Sequence, residues 1–232
     1  MKTKSVLPKT KVNPAPSFKT QPILTGCRVK ICGITNLSDA LAAQNSNADA
    51  IGFVFYPQSR RYIRPAQAKK IIACLDKSIK KVGVFVDAEM DGIKRIAGLC
   101  GLDMLQFHGR ETPGFCRKFK GYKIIKAFRI KNKNSLRNIS RYRSADYYLF
   151  DTFKKGLAGG TGEIFEWRLI KDADIDRPFF LSGGLNLANV EAVIAHLHPA
   201  WVDVSSGVEI KPGKKSRRLI REFIQRVKKY ER

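Results

Sequence analysis

The sequence predicts an α/β fold in which eight parallel strands close into a (β/α)8 barrel, and three observations support this. The chain has 232 residues and is 44% hydrophobic, which suits a single domain of this size. Short apolar runs rich in β-forming residues alternate with helical patterns from residue 28 onward. No such run is followed by a GxGxxG loop, which an open dinucleotide-binding sheet would carry.

Eight strands are predicted, with segments of helical spacing between them. The strands are expected at 28–31, 50–55, 81–86, 104–107, 123–128, 147–150, 179–181 and 201–204. The clearest helices are expected at 65–76, 88–99 and 186–197, the first with Pro65 at its first helical position. Segment 131–143 is the weakest predicted helix, because it is polar and poorly periodic. Eight alternations in this length favour a closed barrel over a doubly wound sheet.

The chain is expected to divide into a basic extension, residues 1–26, and a catalytic barrel, residues 27–232. The first 22 residues contain five lysines, four prolines and no acidic residue, a composition typical of a linker or disordered segment. No apolar stretch follows that would make a secretory signal, and no run is long enough to cross a bilayer. Five cysteines without a CxxC pair fit a reducing compartment, so we expect a cytoplasmic protein.

The formal net charge of +24 is the strongest argument for an anionic partner. The basic residues are nevertheless spread over the extension, segment 131–143 and segment 214–232, and none lies in a recognisable nucleic-acid-binding motif. We therefore expect a solvated basic surface that speeds encounter with an anionic small molecule, and we expect neither a nucleic acid nor a membrane as partner. The cysteine and histidine spacings give no metal-binding pattern, so no metal is expected.

The residues that end the first two strands are candidates for chemistry, since barrel enzymes work where strands end. Cys32 ends the first strand, and Gly33 behind it allows a sharp turn that leaves the thiol facing a cavity. A free cysteine is more often a buried core residue than a catalytic one, so a catalytic role for Cys32 needs support from the other strand ends. The second strand leads to Arg60 and Arg61, where a guanidinium could hold a carboxylate by two hydrogen bonds, although exposed arginine pairs are common.

The fourth and sixth strands also end in polar side chains. Gln106 and His108 follow one another at alternate positions, so either could position a substrate, although a lone histidine is more often structural. Asp151 ends the sixth strand, directly after an apolar run. Partial desolvation there favours a protonated carboxyl that could donate a proton, and the alternative is a turn or helix cap.

Glycine- and serine-rich loops follow the last three strands. Gly160 lies in a flexible segment, 159–162, that could close over a ligand. The loops after the seventh and eighth strands are where barrels often bind phosphate through backbone amides. The candidate phosphate-binding residues are Gly183, Gly184, Ser205, Ser206 and Gly207.

In this order, the strand-end motifs closely resemble those of the phosphoribosylanthranilate isomerases. The resemblance covers residues 28 to about 230, and it rests on segments 29–35, 53–62, 106–109, 159–162, 182–185 and 203–209 together with Asp151. It implies the Amadori rearrangement of N-(5-phosphoribosyl)anthranilate to 1-(2-carboxyphenylamino)-1-deoxyribulose 5-phosphate in tryptophan biosynthesis, with no metal or organic cofactor. The expected partner is this phosphorylated small molecule, bound by a monomer or a homodimer.

The resemblance also implies roles for the candidates. Asp151 would be the general acid that protonates the furanose ring oxygen, and Cys32 would be the general base that removes the C2 proton. Arg61 would bind the anthranilate carboxylate, and Asp203 would contact the sugar hydroxyls. The remaining substrate-binding positions would be Gln106 and His108, Gly160, and the phosphate loops with Gly183, Gly184, Ser205, Ser206 and Gly207.

Two alternative functions remain open. One is another phosphate-binding barrel enzyme, such as indole-3-glycerol-phosphate synthase or a pentose-phosphate epimerase. The synthase would need a lysine and glutamates at strand ends, and the epimerase two acids with metal ligands, and we recognise neither set. The other alternative, from a different class, is a basic nucleic-acid-binding protein, which would show steeply salt-dependent RNA binding without isomerase activity.

Overall fold

Eight parallel strands close into a barrel in the computed structural model, which describes residues 26–151, 169–170 and 173–229. Each strand pairs with the next along the chain, and β8 pairs with β1 to complete the barrel. The strands are β1 (Arg28–Cys32), β2 (Ala50–Val54), β3 (Lys80–Phe85), β4 (Met104–Phe107), β5 (Lys123–Arg129), β6 (Tyr147–Asp151), β7 (Phe179–Ser182) and β8 (Trp201–Val204). The predicted fold class is confirmed, and every strand boundary lies within one residue of its prediction.

Six α-helices lie entirely within the described part of the chain, and Leu169 and Ile170 are helical as well. The six helices are α1 (Leu37–Asn45), α2 (Pro65–Ile72), α3 (Met90–Cys100), α4 (Pro113–Cys116), α5 (Val190–Leu197) and α6 (Arg217–Lys229). Pro65 occupies the first turn of α2, as predicted. Helix α5 begins four residues later than predicted, because the side chain of Asn186 accepts a hydrogen bond from the Ala188 amide and forms a turn first. Among these residues, no helix is both long and apolar enough to span a membrane.

The predicted helix over 131–143 is wrong, and two 3₁₀ helices, Lys133–Leu136 and Ile139–Tyr142, take its place. The Asn132 side chain accepts a hydrogen bond from the Asn134 amide, and Ser135 Oγ accepts one from the Lys131 amide. Such side-chain bonds compete with the backbone bonds of an α-helix. The division between the extension and the barrel stays a prediction, since residues 1–25 lie outside the described residues.

The barrel interior has an apolar half and a polar half. Side chains alternate along a strand, so every second residue faces inward. At the amino-terminal end the interior is filled by apolar side chains, with the rings of Phe180 and Trp201 stacked at a centroid distance of 4.7 Å. Further along the same strands, Lys30, Gln106 and Asp203 are all buried. The polar chemistry is therefore confined to the carboxyl-terminal half of the barrel.

A short antiparallel hairpin, β9 (Glu209–Lys211) and β10 (Lys214–Lys215), follows β8 and was not predicted. The Lys215 amide donates to Asp39 Oδ2 on α1 at 2.8 Å, which anchors the hairpin over the carboxyl end of β1. This return of the chain brings Glu209 and Lys215 back to the mouth of the barrel.

The last helix, α6, is strongly basic, with six arginines and lysines and one glutamate. It buries Ile220, Phe223, Ile224 and Val227 against the barrel. Arg217, Arg218 and Arg221 are exposed on its other side. This part of segment 214–232 therefore forms the solvated basic surface that the sequence predicts, whereas Lys215 is only 2% exposed and is an exception.

A buried ion pair connects β5 to the loop that follows β4. Lys126 Nζ donates to Glu111 Oε2 at 2.7 Å and to the Gly109 carbonyl at 2.8 Å. Glu111 in turn accepts hydrogen bonds from the amides of Gly109 and Asp87. The side chains of Lys126 and Glu111 are 3% and 2% exposed, so removing the ammonium would leave a carboxylate unpaired in a dry environment.

Replacing this lysine therefore has a predictable effect on stability. Lys126→Met should lower the free energy of unfolding by about 3–5 kcal/mol, measured by urea denaturation. The matched control is Lys123→Met on the same strand, because Lys123 pairs with Asp146 at the same 2.7 Å but its side chain is 65% exposed. The control should change stability little. Equal losses in the two variants would contradict the role assigned to burial.

Candidate active site

The structure brings five of the predicted site residues together at the carboxyl ends of the strands. Cys32, Gln106, His108, Asp151 and Asp203 lie on β1, β4, β6 and β8 or directly after them. Gln106 and His108 are two residues apart, so both side chains face the barrel interior. The Nε2 atom of Gln106 lies 2.9 Å from Nδ1 of His108, and Nε2 of His108 lies 3.2 Å from Oδ2 of Asp151.

Cys32 is buried at the end of β1, and Gly33 after it takes a positive φ of 77° that turns the chain, as the sequence predicts. On β2, a Cβ at Gly52 would lie 2.8 Å from Cys32 Sγ and 3.1 Å from Lys30 Cε. The missing side chain therefore makes room for both groups. Burial raises the pKa of the Cys32 thiol, although the positive charges of Lys30 and Lys215 oppose the shift.

Lys30 is a central residue of the site that the sequence reasoning missed. Its ammonium is fully buried and donates to Gln106 Oε1 at 2.8 Å and to Asp203 Oδ1 at 3.0 Å. Burial alone would lower its pKa, but Asp203 and Cys32 outweigh burial and raise it. Lys30 therefore keeps its charge. It stands two residues before Cys32, and strand alternation could have placed it on the same inward face.

Asp203 is held from two sides inside the barrel. Its Oδ1 accepts from Lys30, and its Oδ2 accepts from Ser182 Oγ at 3.3 Å. The carboxylate is 5% exposed. Its position, immediately below the loops that follow β7 and β8, places it where the floor of a binding cavity would be.

Arg61 is engaged by a carboxylate of the chain itself. Its Nε and Nη2 donate to Glu209 Oε1 and Oε2 at 2.8 and 2.6 Å, and Lys215 Nζ donates to Glu209 Oε1 at 2.8 Å. Burial alone would raise the pKa of Glu209, but the hydrogen bonds from Arg61 and Lys215 lower it. The Arg61 side chain stays 27% exposed. Glu209 and Lys215 were missed because only the hairpin brings them here.

The loops after β7 and β8 contact each other closely. A Cβ at Gly207 would overlap the Leu185 carbonyl oxygen, so this approach requires glycine. Ser205 Oγ donates to the Cys32 carbonyl at 3.0 Å, and Lys215 Nζ donates to the Ser205 carbonyl at 3.1 Å. The predicted phosphate-loop residues Gly183, Gly184, Ser205, Ser206 and Gly207 thus lie at one edge of the barrel mouth. Gly160 lies outside the described residues.

A cavity of about 550 Å³ opens at the same end of the barrel. Its lining includes His108, Tyr56, Phe128, Tyr142, Arg110 and Arg129. Aromatic and cationic side chains around one imidazole suit a ring that carries negative charge. Among the described residues, no group of three or more His, Cys, Asp or Glu is arranged to hold a metal ion.

The fold, with its cluster of ionisable side chains at the carboxyl ends of the strands, is that of a barrel enzyme. Comparison with known families narrows this class. The profile described as N-(5'phosphoribosyl)anthranilate (PRA) isomerase matches residues 29–226. The chain therefore belongs to the N-(5'-phosphoribosyl)anthranilate isomerase family, which confirms the resemblance found in the sequence.

Individual relatives agree with this membership. The N-(5'-phosphoribosyl)anthranilate isomerase of Desulforudis audaxviator is 49% identical over 199 residues, which cover 85% of this chain and 96% of the relative. The enzyme of the same name from Geobacter sp. is 45% identical over 202 residues, covering 87% of this chain and 98% of the relative. The crystal structure of phosphoribosyl anthranilate isomerase from Thermotoga maritima is 45% identical, with a TM-score of 0.81 and coverage of 88% and 99%.

The raised pKa of Cys32 has a direct consequence for its reactivity. Only the thiolate reacts with iodoacetamide, so Cys32 should be alkylated slowly at neutral pH and faster as the pH rises beyond about 8.5, the ordinary thiol value. Mass spectrometry of the peptides would give the rate at each pH. Cys74, which is exposed, is the internal control and should react faster at neutral pH.

A urea-unfolded sample completes this test, since both thiols should then react at similar rates. If Cys32 in the folded protein reacted at neutral pH as fast as Cys74, burial would not control its protonation.

Proposed function

We propose that this chain isomerises N-(5'-phosphoribosyl)anthranilate to 1-(2-carboxyphenylamino)-1-deoxyribulose 5-phosphate, with Asp151 as general acid and Cys32 as general base. Family membership over residues 29–226 carries the proposal. A solved relative, 43% identical with a TM-score of 0.80, is described as this isomerase in complex with reduced 1-(o-carboxyphenylamino)-1-deoxyribulose 5-phosphate. The placement of a buried thiol and a carboxyl on different strands of one barrel mouth supports the two roles.

Ring opening is the first step of the proposed reaction. The Asp151 carboxyl donates a proton to the furanose ring oxygen while the C1–O bond breaks. The lone pair of the anthranilate nitrogen forms the C1=N bond of a protonated Schiff base. Asp151 is left as a carboxylate, and His108 Nε2 lies 3.2 Å from its Oδ2, within hydrogen-bonding distance of the negative charge that develops there.

Proton removal at C2 is the second step. Cys32 Sγ, as a thiolate, takes the C2 proton, and the C–H electron pair becomes the C1=C2 bond of an enolamine as the C1=N electrons return to nitrogen. The enolamine then tautomerises to the ketone. Because burial raises the pKa of Cys32, the charges of Lys30 and Lys215 matter here, since both favour the thiolate.

Arg61 is proposed to bind the anthranilate carboxylate. Glu209 occupies the edge of the guanidinium formed by Nε and Nη2. The edge formed by Nη1 and Nη2 can still form two parallel hydrogen bonds with a second carboxylate. Glu209 thus fixes the plane of the guanidinium, and Lys215 fixes Glu209. Asp203 is proposed to accept hydrogen bonds from the sugar hydroxyls.

The phosphate is proposed to bind the backbone amides of the loops that contain Gly183, Gly184, Ser205, Ser206 and Gly207, with the buried ammonium of Lys215 adding positive charge nearby. Gly160 is proposed to contribute to substrate binding, and Gln106 and His108 are proposed to lie near the substrate. A metal or organic cofactor has no part in the proposal.

The assembly and the location complete the proposal. We propose a monomer or a homodimer, and a related structure from Thermotoga maritima is described as monomers generated from a dimeric phosphoribosylanthranilate isomerase. A cytoplasmic location is in keeping with an enzyme of amino-acid biosynthesis.

Substitution of the two proton-transfer groups tests the proposed function. Cys32→Ala and Asp151→Asn should each lower kcat by about 100- to 10,000-fold, while KM changes little because neither group is proposed to supply much binding energy. The unstable substrate is generated in place from anthranilate and phosphoribosyl pyrophosphate by a transferase, and its loss is followed by fluorescence. Cys74→Ala, at an exposed thiol, is the control and should leave the rate unchanged. An inactive but folded wild-type protein would refute the proposal.

The contact between the two phosphate loops supplies a second test. Gly207→Ala should force the loop after β8 away from Leu185 and raise KM by about tenfold or more, because the phosphate amides lose their alignment. Gly98→Ala is the matched control, since a Cβ at this position on α3 would meet nothing within 4 Å. The control should keep the wild-type KM and gain about 0.5–1 kcal/mol of stability. A Gly207→Ala variant with wild-type KM would contradict the proposed phosphate site.

A further inference from the structure

We propose that Lys30 determines, through Gln106 and His108, which oxygen of Asp151 carries the transferable proton, so that these three side chains are positioning residues for the general acid. The inference rests on the proposed function of Asp151. It assigns Gln106 and His108 a role apart from contact with substrate, and it brings Lys30 into the mechanism.

The first step is the orientation of the Gln106 amide. The Lys30 ammonium has only donors to offer, so the Gln106 atom 2.8 Å from Nζ is the carbonyl oxygen Oε1. Asp203, at 3.0 Å on the other side, keeps the ammonium charged. Gln106 is 1% exposed, and the opposite orientation would aim its NH₂ group at this cation without water to intervene.

The second step is the tautomer of His108. With Oε1 turned to Lys30, the NH₂ group of Gln106 faces His108 Nδ1 at 2.9 Å. A donor there requires Nδ1 to be the acceptor, which places the imidazole proton on Nε2. An imidazolium would instead set two donors against each other at this contact.

The third step is the polarity of the contact with Asp151. Nε2–H of His108 donates to Oδ2 at 3.2 Å, so Oδ2 is committed to the role of acceptor. A proton carried by the carboxyl then resides on Oδ1. All three hydrogen bonds between Lys30 and Asp151 therefore have their donor on the Lys30 side. If one of these bonds were reversed, each bond between it and Asp151 would be reversed as well. Lys30 also lies beside Cys32, because both pack over Gly52, so one ammonium serves both proton-transfer groups.

Nuclear magnetic resonance tests the tautomer without depending on activity. The ¹⁵N shifts of the wild-type imidazoles at neutral pH should show His108 neutral, with Nε2 protonated and Nδ1 unprotonated. The chain has three histidines, and His108→Asn identifies the signal. An Nδ1–H tautomer or an imidazolium for His108 would overturn the inference. A wild-type protein that does not turn over the substrate would instead refute the proposed function, and the tautomer would still be read.

Gln106→Glu is the decisive variant because it keeps the shape and replaces the donor by an acceptor. The introduced carboxylate would accept from Lys30 and also from Nδ1–H of His108, which favours the imidazolium and holds Asp151 ionised. We expect the imidazolium signal at neutral pH, and the alkaline limb of kcat, which reports the general acid, should move to lower pH. The other charged groups that line this cavity, Asp87, Arg110, Lys126 and Arg129, are the same in both proteins. A wild-type tautomer and pH profile in this variant would overturn the inference.

Replacing His108 separates its donor from its bulk. His108→Leu should lower kcat by about 10- to 100-fold, part of the 100- to 10,000-fold that general acid–base catalysis contributes, with KM little changed. His108→Gln, whose amide can still donate to Oδ2, should recover part of the loss. His196→Leu on α5 is the matched control, since His196 is exposed and bonds the Ala192 carbonyl far from the site. Equal kcat values for the Leu and Gln variants would contradict the role of the donor.

Discussion

The polar half of the barrel depends on one buried ion pair, between Lys30 and Asp203. Neither side chain is more than 5% exposed, so each would be costly to bury without the other. The pair also gives the amide of Gln106 a charged partner, and through that amide it reaches His108 and Asp151. It lowers the energetic cost of placing a thiol, an imidazole and a carboxyl in a closely packed interior. Without it, the strands that hold these groups would enclose several unpaired donors and acceptors.

The interior side chains have different roles at the two ends of the barrel. At the amino-terminal end they contribute to stability, and at the carboxyl-terminal end of the same strands they form the candidate site. Trp201 and Asp203 are neighbours on one face of β8, but the indole stacks on Phe180 and the carboxylate bonds Lys30. An advance of two residues, about 7 Å along a strand, therefore crosses from an apolar plug to a polar network. The hairpin after β8 closes the polar end from outside, with Lys215 connecting Ser205 to Glu209. The proposed acid–base groups are thus held by the interior, and Arg61, the proposed partner of the substrate carboxylate, is held by the hairpin.

The sequence predicts the fold almost completely because the strands of a closed parallel barrel are buried on both faces. Each one appears as a short, mostly apolar run, which leaves little freedom in its limits. The interruptions inside these runs are few, and they include Lys30, Gln106, Lys126 and Asp203. Cys32 and Asp151 were found because they interrupt such runs at their ends. Lys30 was missed because a lysine inside a strand is ordinarily read as a solvent-facing residue. Glu209 and Lys215 could not be placed in the site, since their position depends on a hairpin whose register no local pattern specifies. The helix predicted for segment 131–143 was wrong because side-chain hydrogen bonds outweighed a weak helical preference.

The shape of the site depends in part on Gly52, because this residue has no Cβ. The space above this residue holds the sulfur of Cys32 and Cε of Lys30, and any side chain at position 52 would compete with them for the same volume. A larger residue at position 52 would be an ordinary packing choice for a barrel strand in every other respect. The absence of a side chain at position 52 is therefore what lets the thiol and the ammonium lie side by side in a closely packed strand region. Redesign of this scaffold for other reactions should therefore keep glycine at position 52 as deliberately as it keeps the reactive side chains.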